Sequence, residues 1–150
     1  MARPLRINVA DGWYHITNRG INRQPIFDNA REYTHFLGLI GRMRERFVVR
    51  VHAYVLMPNH YHLLIQTPEA NASAAIQWLN VAYSVWYNRR HQRVGPLFQG
   101  RFASVLIDGG GGWVLAACLY LHLNPIRVSG LGLDKNGCQR RFEMSLLQPI

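Results

Sequence analysis

The sequence predicts an α+β fold of the ferredoxin-like class, a split βαβ antiparallel sheet with helices on one face. Two observations favour this class. The elements follow the order strand, helix, strand, strand, helix, strand, helix, and the second and third strands are joined by a two-residue turn. The chain has 150 residues, of which 49% are hydrophobic, enough for one domain with its own core.

The first two elements differ in their periodicity. The segment GWYHITNRG, residues 12–20, is rich in aromatic and β-branched residues and predicts a strand. Asn29 is a candidate N-cap, and the segment 30–47 repeats apolar residues at helical spacing with arginines on the remaining face. An amphipathic helix is therefore expected after the first strand.

A hairpin is predicted at the centre of the chain. The β-rich runs VVRVHAYVLM and HYHLLIQT are separated by Pro58 and Asn59, which are typical turn residues. The second strand of this hairpin begins with two histidines one residue apart.

The remaining elements follow from apolar spacing and from helix breakers. Residues 72 to about 91 predict a second helix with a basic C-terminal end, and residues 102–107 predict a strand. A third helix should begin near Trp113, and it cannot continue undisturbed past Asn124 because Pro125 follows.

The predicted domain is expected to span residues 1–128, with a glycine run inside it and an irregular tail after it. The four glycines at 109–112 predict a flexible entry to the last helix. Residues 129–150 have little periodicity and several turn formers, so they predict an irregular tail, compatible with a truncated copy.

Charge and cysteine content narrow the functional classes. The net charge of +9 comes from 17 basic and 8 acidic residues, and all the basic residues except Lys135 are arginine. This balance favours a polyanionic partner, although an arginine-rich soluble surface would also produce it. The two cysteines form neither a disulfide framework nor a zinc pattern, and no apolar run is long enough for a membrane span. A cytoplasmic protein without a membrane partner is expected.

The histidine pair at the start of the hairpin's second strand is a candidate metal site. Because side chains alternate along a strand, His60 and His62 should point to one side and Tyr61 to the core. Neutral imidazole binds divalent transition metals, but two histidines leave such an ion without enough ligands. A polar hairpin face that happens to use histidine is the alternative.

The last helix offers two further candidates. Tyr120 and Asn124 are four residues apart, so a helix would place them on one face. Asn124 could supply an amide oxygen to a metal, and a metal close by could polarise a phosphodiester for attack by the Tyr120 hydroxyl. Alternatively, Tyr120 is a core residue, and Asn124 only ends the helix before proline.

Four segments together resemble the REP-associated tyrosine transposases, a branch of the single-tyrosine HUH transposases. These segments are RGINRQPIF, HAYVLMPNHYHLLIQTPE, LFQGRF and YLHLNPIRV. The resemblance covers residues 13–128. It implies that His60 and His62 are metal ligands, that Tyr120 is the nucleophile and that Asn124 is the third ligand.

The resemblance also implies an activity. It indicates a metal-dependent enzyme with one Mg or Mn ion that cleaves and rejoins single-stranded DNA through a 5′-phosphotyrosine. DNA hairpins formed by palindromic repeats would be the substrate. The protein would act at the bacterial nucleoid. Two alternatives remain open: a non-catalytic module that binds single-stranded nucleic acid, and a metal nuclease that uses activated water. The sequence also leaves open whether the protein is a homodimer.

Arginines are the candidate DNA contacts. Arg19, Arg23 and Arg101 lie in predicted loops, where a positive side chain is more often functional than on a regular helix face. Arg89 and Arg90 end the second helix and could also track a phosphate backbone. The aromatic residues are assigned mostly to the core.

Overall fold

The computed structural model describes residues 5–110, 112, 116 and 117. Within them, the elements follow the predicted order, with an added 3-10 turn at Ile21–Arg23. The elements are β1 (Gly12–Arg19), α1 (Ala30–Phe47), β2 (Arg50–Met57), β3 (His60–Thr67), α2 (Ala72–Arg90) and β4 (Ala103–Ile107). The strands pair antiparallel in the order β2-β3-β1-β4, which confirms the ferredoxin-like fold class.

The first helix begins where its cap was predicted. The side chain of Asn29 accepts a hydrogen bond from the backbone nitrogen of Glu32 at 3.3 Å. Glu32 in turn accepts from the backbone nitrogen of Asp28 at 2.5 Å. This reciprocal pattern satisfies donors that the first turn leaves without helical partners. The helix ends at Val48, which adopts the left-handed conformation with φ 53°.

The central hairpin confirms the Pro58–Asn59 turn, because β2 ends at Met57 and β3 begins at His60. One feature was not predicted: the register shifts between Val51 and Ala53. This bulge changes which side chains of β2 face the helices. Val51 belongs to the core under the helices, whereas Ala53 belongs to the opposite face.

The sheet has two different faces. On the helix side, aromatic residues such as Phe36, Tyr61 and Tyr83 are fully buried in one large core. The opposite face carries a small apolar cluster against which Trp13, Ile107 and Ala117 pack. This cluster contains Ala53, Val55, Met57 and Leu64. Ala117, which is helical together with Ala116, is therefore on the face opposite α1 and α2.

The glycine run has a packing role at its first position. A Cβ on Gly109 would come within 2.7 Å of the Trp13 indole, so a larger residue requires that ring to move. The rest of the third helix, the boundary at 128 and the tail at 129–150 lie outside the described residues. In the part of the chain that is described, no helix is long and apolar enough to cross a membrane.

Candidate active site

His60 and His62 lie at the start of β3 on the face opposite the helices, as predicted. Their ring centroids are 5.1 Å apart. Met57 of β2 pairs with His60, and Val55 pairs with His62. Tyr61, between the histidines, points into the helix-side core and is fully buried, which confirms its predicted orientation.

A neighbouring amide orients the ring of His60. Nδ1 of His60 lies 2.7 Å from Oδ1 of Asn59, the second turn residue. An amide oxygen can only accept, so Nδ1 carries the proton and Nε2 carries the lone pair. This tautomer is the one that coordinates a metal through Nε2.

The ring of His62 is held from β1. Its Nδ1 lies 3.1 Å from Oγ1 of Thr17 and 3.0 Å from Nε2 of His15, and the His15 and His62 rings stack at 5.2 Å. The sequence analysis did not assign a role to either β1 residue. The alternation of side chains along β1 could have indicated both residues, because His15 and Thr17 are two residues apart and therefore share a face of the strand next to β3.

Burial favours the neutral form of all three histidines. Burial, with smaller contributions from the neighbouring His60 and His15, lowers the pKa of His62 to about 3. Burial also lowers the pKa of His15 and, together with Arg19, the pKa of His60. Metal coordination requires neutral imidazole, so these rings are in the ligand form at neutral pH.

The donor set fits a divalent ion that accepts two imidazoles, with outer-shell partners on both Nδ1 atoms. The other two predicted site residues, Tyr120 and Asn124, lie outside the described residues. Ala117, three residues before Tyr120 in sequence, packs on the same face of the sheet as the histidines.

The tyrosines within the described part of the chain all lie elsewhere. The chain has seven tyrosines, and six are described. All six belong to the helix-side core or pack against it: Tyr14, Tyr33, Tyr54, Tyr61, Tyr83 and Tyr87. Burial also raises the pKa of Tyr61, whose hydroxyl donates to Asn80 at 2.7 Å. A buried phenol with a raised pKa is a poor nucleophile.

The five candidate DNA-binding arginines are exposed, but they occupy different surroundings. The prediction that Arg19 lies in a loop is wrong, because Arg19 is the last residue of β1. It pairs in register with His60 of β3, so its position is next to the candidate site. Arg23 follows in the 3-10 turn. Arg89 and Arg90 end α2, and Nε of Arg90 lies 3.7 Å from the buried carboxylate of Glu32. Arg101 lies in the loop before β4, as predicted.

A second group of potential cation ligands lies at the helix ends, where atoms of Asp28, Glu32 and His91 come within 4.8 Å of one another. The side-chain atoms of this group already take part in hydrogen bonds. Oε1 of Glu32 lies 2.6 Å from Nε2 of His91, and the hydroxyl of Tyr87 donates to Asp28 at 2.6 Å. These bonds account for the cluster as a link between α1 and α2.

Comparison with known proteins identifies the family. A model of the family described as "Transposase IS200 like" matches residues 8–109, about two thirds of the chain. The chain belongs to the IS200-like transposase family. The matched region contains the six elements from β1 to β4 and the histidine pair. Membership of a transposase family makes this protein a DNA-processing enzyme. The search of curated proteins gave no match.

Solved structures share the fold of this transposase. One is a REP-associated tyrosine transposase bound to a REP hairpin, with TM-score 0.69 and 17% identity over 85% of this chain and 74% of that one. Another is a candidate transposase from Deinococcus radiodurans R1, with TM-score 0.52 and 14% identity over 82% of this chain and 96% of that one. At these identities, the similarity shows the fold.

Proposed function

We propose that this protein is a metal-dependent transposase that cleaves and rejoins single-stranded DNA through a 5′-phosphotyrosine intermediate. Tyr120 is the nucleophile, and His60, His62 and Asn124 hold one Mg or Mn ion. The catalytic unit extends over residues 1–128.

The observation that carries this proposal is the separation of tyrosines from histidines. Each of the six described tyrosines is on the helix side of the sheet or packs against its core, whereas the histidine pair is on the other side. Tyr120 is the seventh tyrosine, and it follows Ala117, which packs on the histidine face. A nucleophile from this chain that acts at the histidines is therefore best supplied by Tyr120.

The chemistry is a transesterification at phosphorus. The Tyr120 hydroxyl loses its proton as its oxygen bonds to phosphorus and the bond to the 3′ oxygen breaks. The leaving oxygen takes up a proton to become a free 3′ hydroxyl, so no proton is gained or lost overall. The metal, when bound, stabilises the charge on the phosphate oxygens. The phosphotyrosine ester conserves the bond energy, so a 3′ hydroxyl can attack it and rejoin the strands.

DNA hairpins are the proposed substrate. The REP-associated tyrosine transposase with the same fold was solved on a REP hairpin, which supports this substrate class for the present chain. The net charge of +9 and the position of Arg19 beside His60 also favour a phosphate backbone near the site. Arg23, Arg89 and Arg90 are proposed to extend this contact.

Detection of a covalent protein–DNA adduct on a denaturing gel tests the proposal. Wild type with Mn²⁺ and a hairpin oligonucleotide bearing single-stranded flanks should give an adduct, and Tyr120→Phe should give none while binding the DNA with similar affinity. Tyr33→Phe is the matched control and should still give the adduct.

Each rival function has its own outcome in this assay. A water-using nuclease would cut the oligonucleotide without trapping protein, and a binding module would neither cut nor respond to a chelator. Either result would contradict the proposal.

A further inference from the structure

A cleft between α2 and the loop before β4 lies on the helix side of the sheet, away from the histidine face. Its volume is about 430 Å³, which falls within the usual range for a small-ligand site. The walls come from the N-terminal segment, β1, α2 and the loop at 98–102. We call it the α2–β4 cleft, and its principal lining residues are Arg6, Asn18, Asn80, Phe98, Arg101 and Phe102.

Two amide groups in the cleft offer hydrogen-bond donors. Asn18 is only 6% exposed, and its Oδ1 accepts from the backbone nitrogen of Arg19 at 3.0 Å. The Oδ1 of Asn80 accepts from the hydroxyl of Tyr61 at 2.7 Å. Among the residues that the structure describes, neither Nδ2 has an acceptor. Neither nitrogen is among the fully buried atoms without a partner, so both are open to the cleft and can donate to a ligand that carries acceptors.

Two arginines add positive charge to the same cleft. The guanidinium of Arg6 covers the Phe102 ring at 3.5 Å, and one of its nitrogens donates to the Phe102 carbonyl. Arg101 lines the cleft with Arg6, and the pKa of Arg6 is lowered by burial and by the charge of Arg101. No carboxylate in the described part of the chain lies within ion-pair distance of either arginine. Two guanidinium groups in one cleft suit a phosphate.

We propose that the α2–β4 cleft binds one unpaired nucleotide of the DNA substrate, with its phosphate at Arg6 and Arg101 and its base at Asn18 and Asn80. The proposal rests on the proposed function in one respect, that the substrate is DNA with unpaired nucleotides. The cleft differs from the histidine site, because it lies on the other face of the same strands.

The hydrogen bonds already made by the amides select the base. An asparagine reads adenine by accepting with its oxygen and donating with its nitrogen at the same time. Here each oxygen already accepts one hydrogen bond, from the Arg19 backbone or from Tyr61, whereas the two nitrogens have no acceptor among the described residues. The amide groups are therefore freer to donate than to accept, which favours a base with carbonyl acceptors, such as thymine, over adenine.

The loop that closes the cleft is tied to the end of β1. The backbone nitrogen of Gln99 donates to the carbonyl of Arg19 at 2.8 Å, and the Arg19 side chain donates to Oε1 of Gln99 at 3.0 Å. Asn18 and Arg19 point to opposite faces of β1. A nucleotide in the cleft would therefore lie one residue along the strand from the arginine that pairs in register with His60.

Fluorescence anisotropy in EDTA, which prevents cleavage, tests this inference. The probes are one DNA hairpin with a four-thymine 5′ extension, the same hairpin with a four-adenine extension, and the blunt hairpin. Wild type should bind the thymine extension about tenfold more tightly than either other probe. Arg101→Ala should remove that advantage, whereas Arg42→Ala, an exposed arginine on α1, should retain it.

Asn18→Asp is the second variant, because it keeps an oxygen that can accept from Arg19 and replaces the amide donor by a negatively charged acceptor. It should also lose the thymine preference while retaining the wild-type circular dichroism spectrum. Equal binding of the blunt and thymine-extended hairpins by wild type would overturn the proposal, and so would equal effects of Arg101→Ala and Arg42→Ala. Equal binding of the two extensions would overturn the base selectivity. The anisotropy assay measures binding and no cleavage, so its result does not depend on whether the adduct assay succeeds or fails.

Discussion

The sheet face that meets α1 and α2 is closed by aromatic and aliphatic side chains, whereas the opposite face carries His15, His60 and His62 beside a small apolar cluster. Both faces are built from the same strands, and they are separated by the alternation of side chains, which the β2 bulge interrupts once. On the helix side, buried tyrosines such as Tyr61 and Tyr83 hold hydroxyls whose pKa is raised by burial. On the other side, burial keeps imidazoles neutral. Desolvation therefore makes the tyrosines poor nucleophiles and keeps the imidazoles in the neutral form that can bind a metal.

The largest effect should come from the helix side. Phe36 is fully buried and contacts Phe27, Tyr61 and Tyr83. Phe36→Ala should lower the free energy of unfolding by about 3–5 kcal/mol, because it removes buried apolar surface and leaves a cavity. Urea denaturation measures this change. Val105→Ala, at an exposed position on the opposite face, is the control and should cost less than about 1 kcal/mol. Similar costs for the two variants would show that the faces do not differ as described.

The next effect concerns metal binding on the histidine face. His62→Ala should weaken Mn²⁺ binding more than about 100-fold, since it removes a ligand rather than an outer-shell partner. Titration followed by electron paramagnetic resonance gives the affinity. His52→Ala removes another imidazole from β2 and should leave Mn²⁺ affinity nearly unchanged. Unchanged affinity in His62→Ala would exclude this histidine as a ligand.

Acidification should destabilise the metal-free protein through the same face. The pKa of His62 is about 3 in the folded state and about 6.5 when unfolded, so the unfolded chain binds more protons between these values. The stabilising contribution is complete above about pH 6.5 and is lost as the pH falls towards 3. Between pH 7 and pH 5 the loss should be about 2 kcal/mol. Urea denaturation at both pH values in EDTA should show a smaller loss in His62→Gln, and an equal loss would contradict the assignment.

A smaller effect is expected from the β1 residue that contacts His62. Thr17→Val removes the hydroxyl 3.1 Å from Nδ1 of His62 and should weaken Mn²⁺ binding about tenfold. Thr17→Ser should restore it. Thr34→Val, on α1, serves as the control. If the Val and Ser variants at position 17 bind Mn²⁺ equally, the hydroxyl does not orient the histidine.

Sequence periodicity was sufficient to predict the helices and strands from β1 to β4, although the 3-10 turn at Ile21–Arg23 was not predicted. The bounds of α1 and α2 agree closely with prediction, because capping at Asn29 and helical apolar spacing are local signals. The bulge between Val51 and Ala53 could not be predicted, since no residue in that run marks it. Flexibility was predicted for the glycines, whereas Gly109 is also required by its contact with Trp13.

The candidate site was predictable only in part. Alternation placed His60 and His62 together and Tyr61 in the core, because that inference needs only one strand. The roles of His15 and Thr17 depend on the register between β1 and β3, and the α2–β4 cleft depends on packing between distant segments. Such juxtapositions are properties of the folded chain. The roles of Tyr120 and Asn124 remain predictions.

Identification of the residue that carries the DNA tests the central claim most directly. The adduct formed with Mn²⁺ and a hairpin oligonucleotide would be digested with nuclease and protease, and the modified peptide sequenced by mass spectrometry. The account predicts a 5′-phosphorylated nucleotide esterified to Tyr120. A nucleotide on any of the other six tyrosines, or cleaved DNA with no modified peptide, would contradict it.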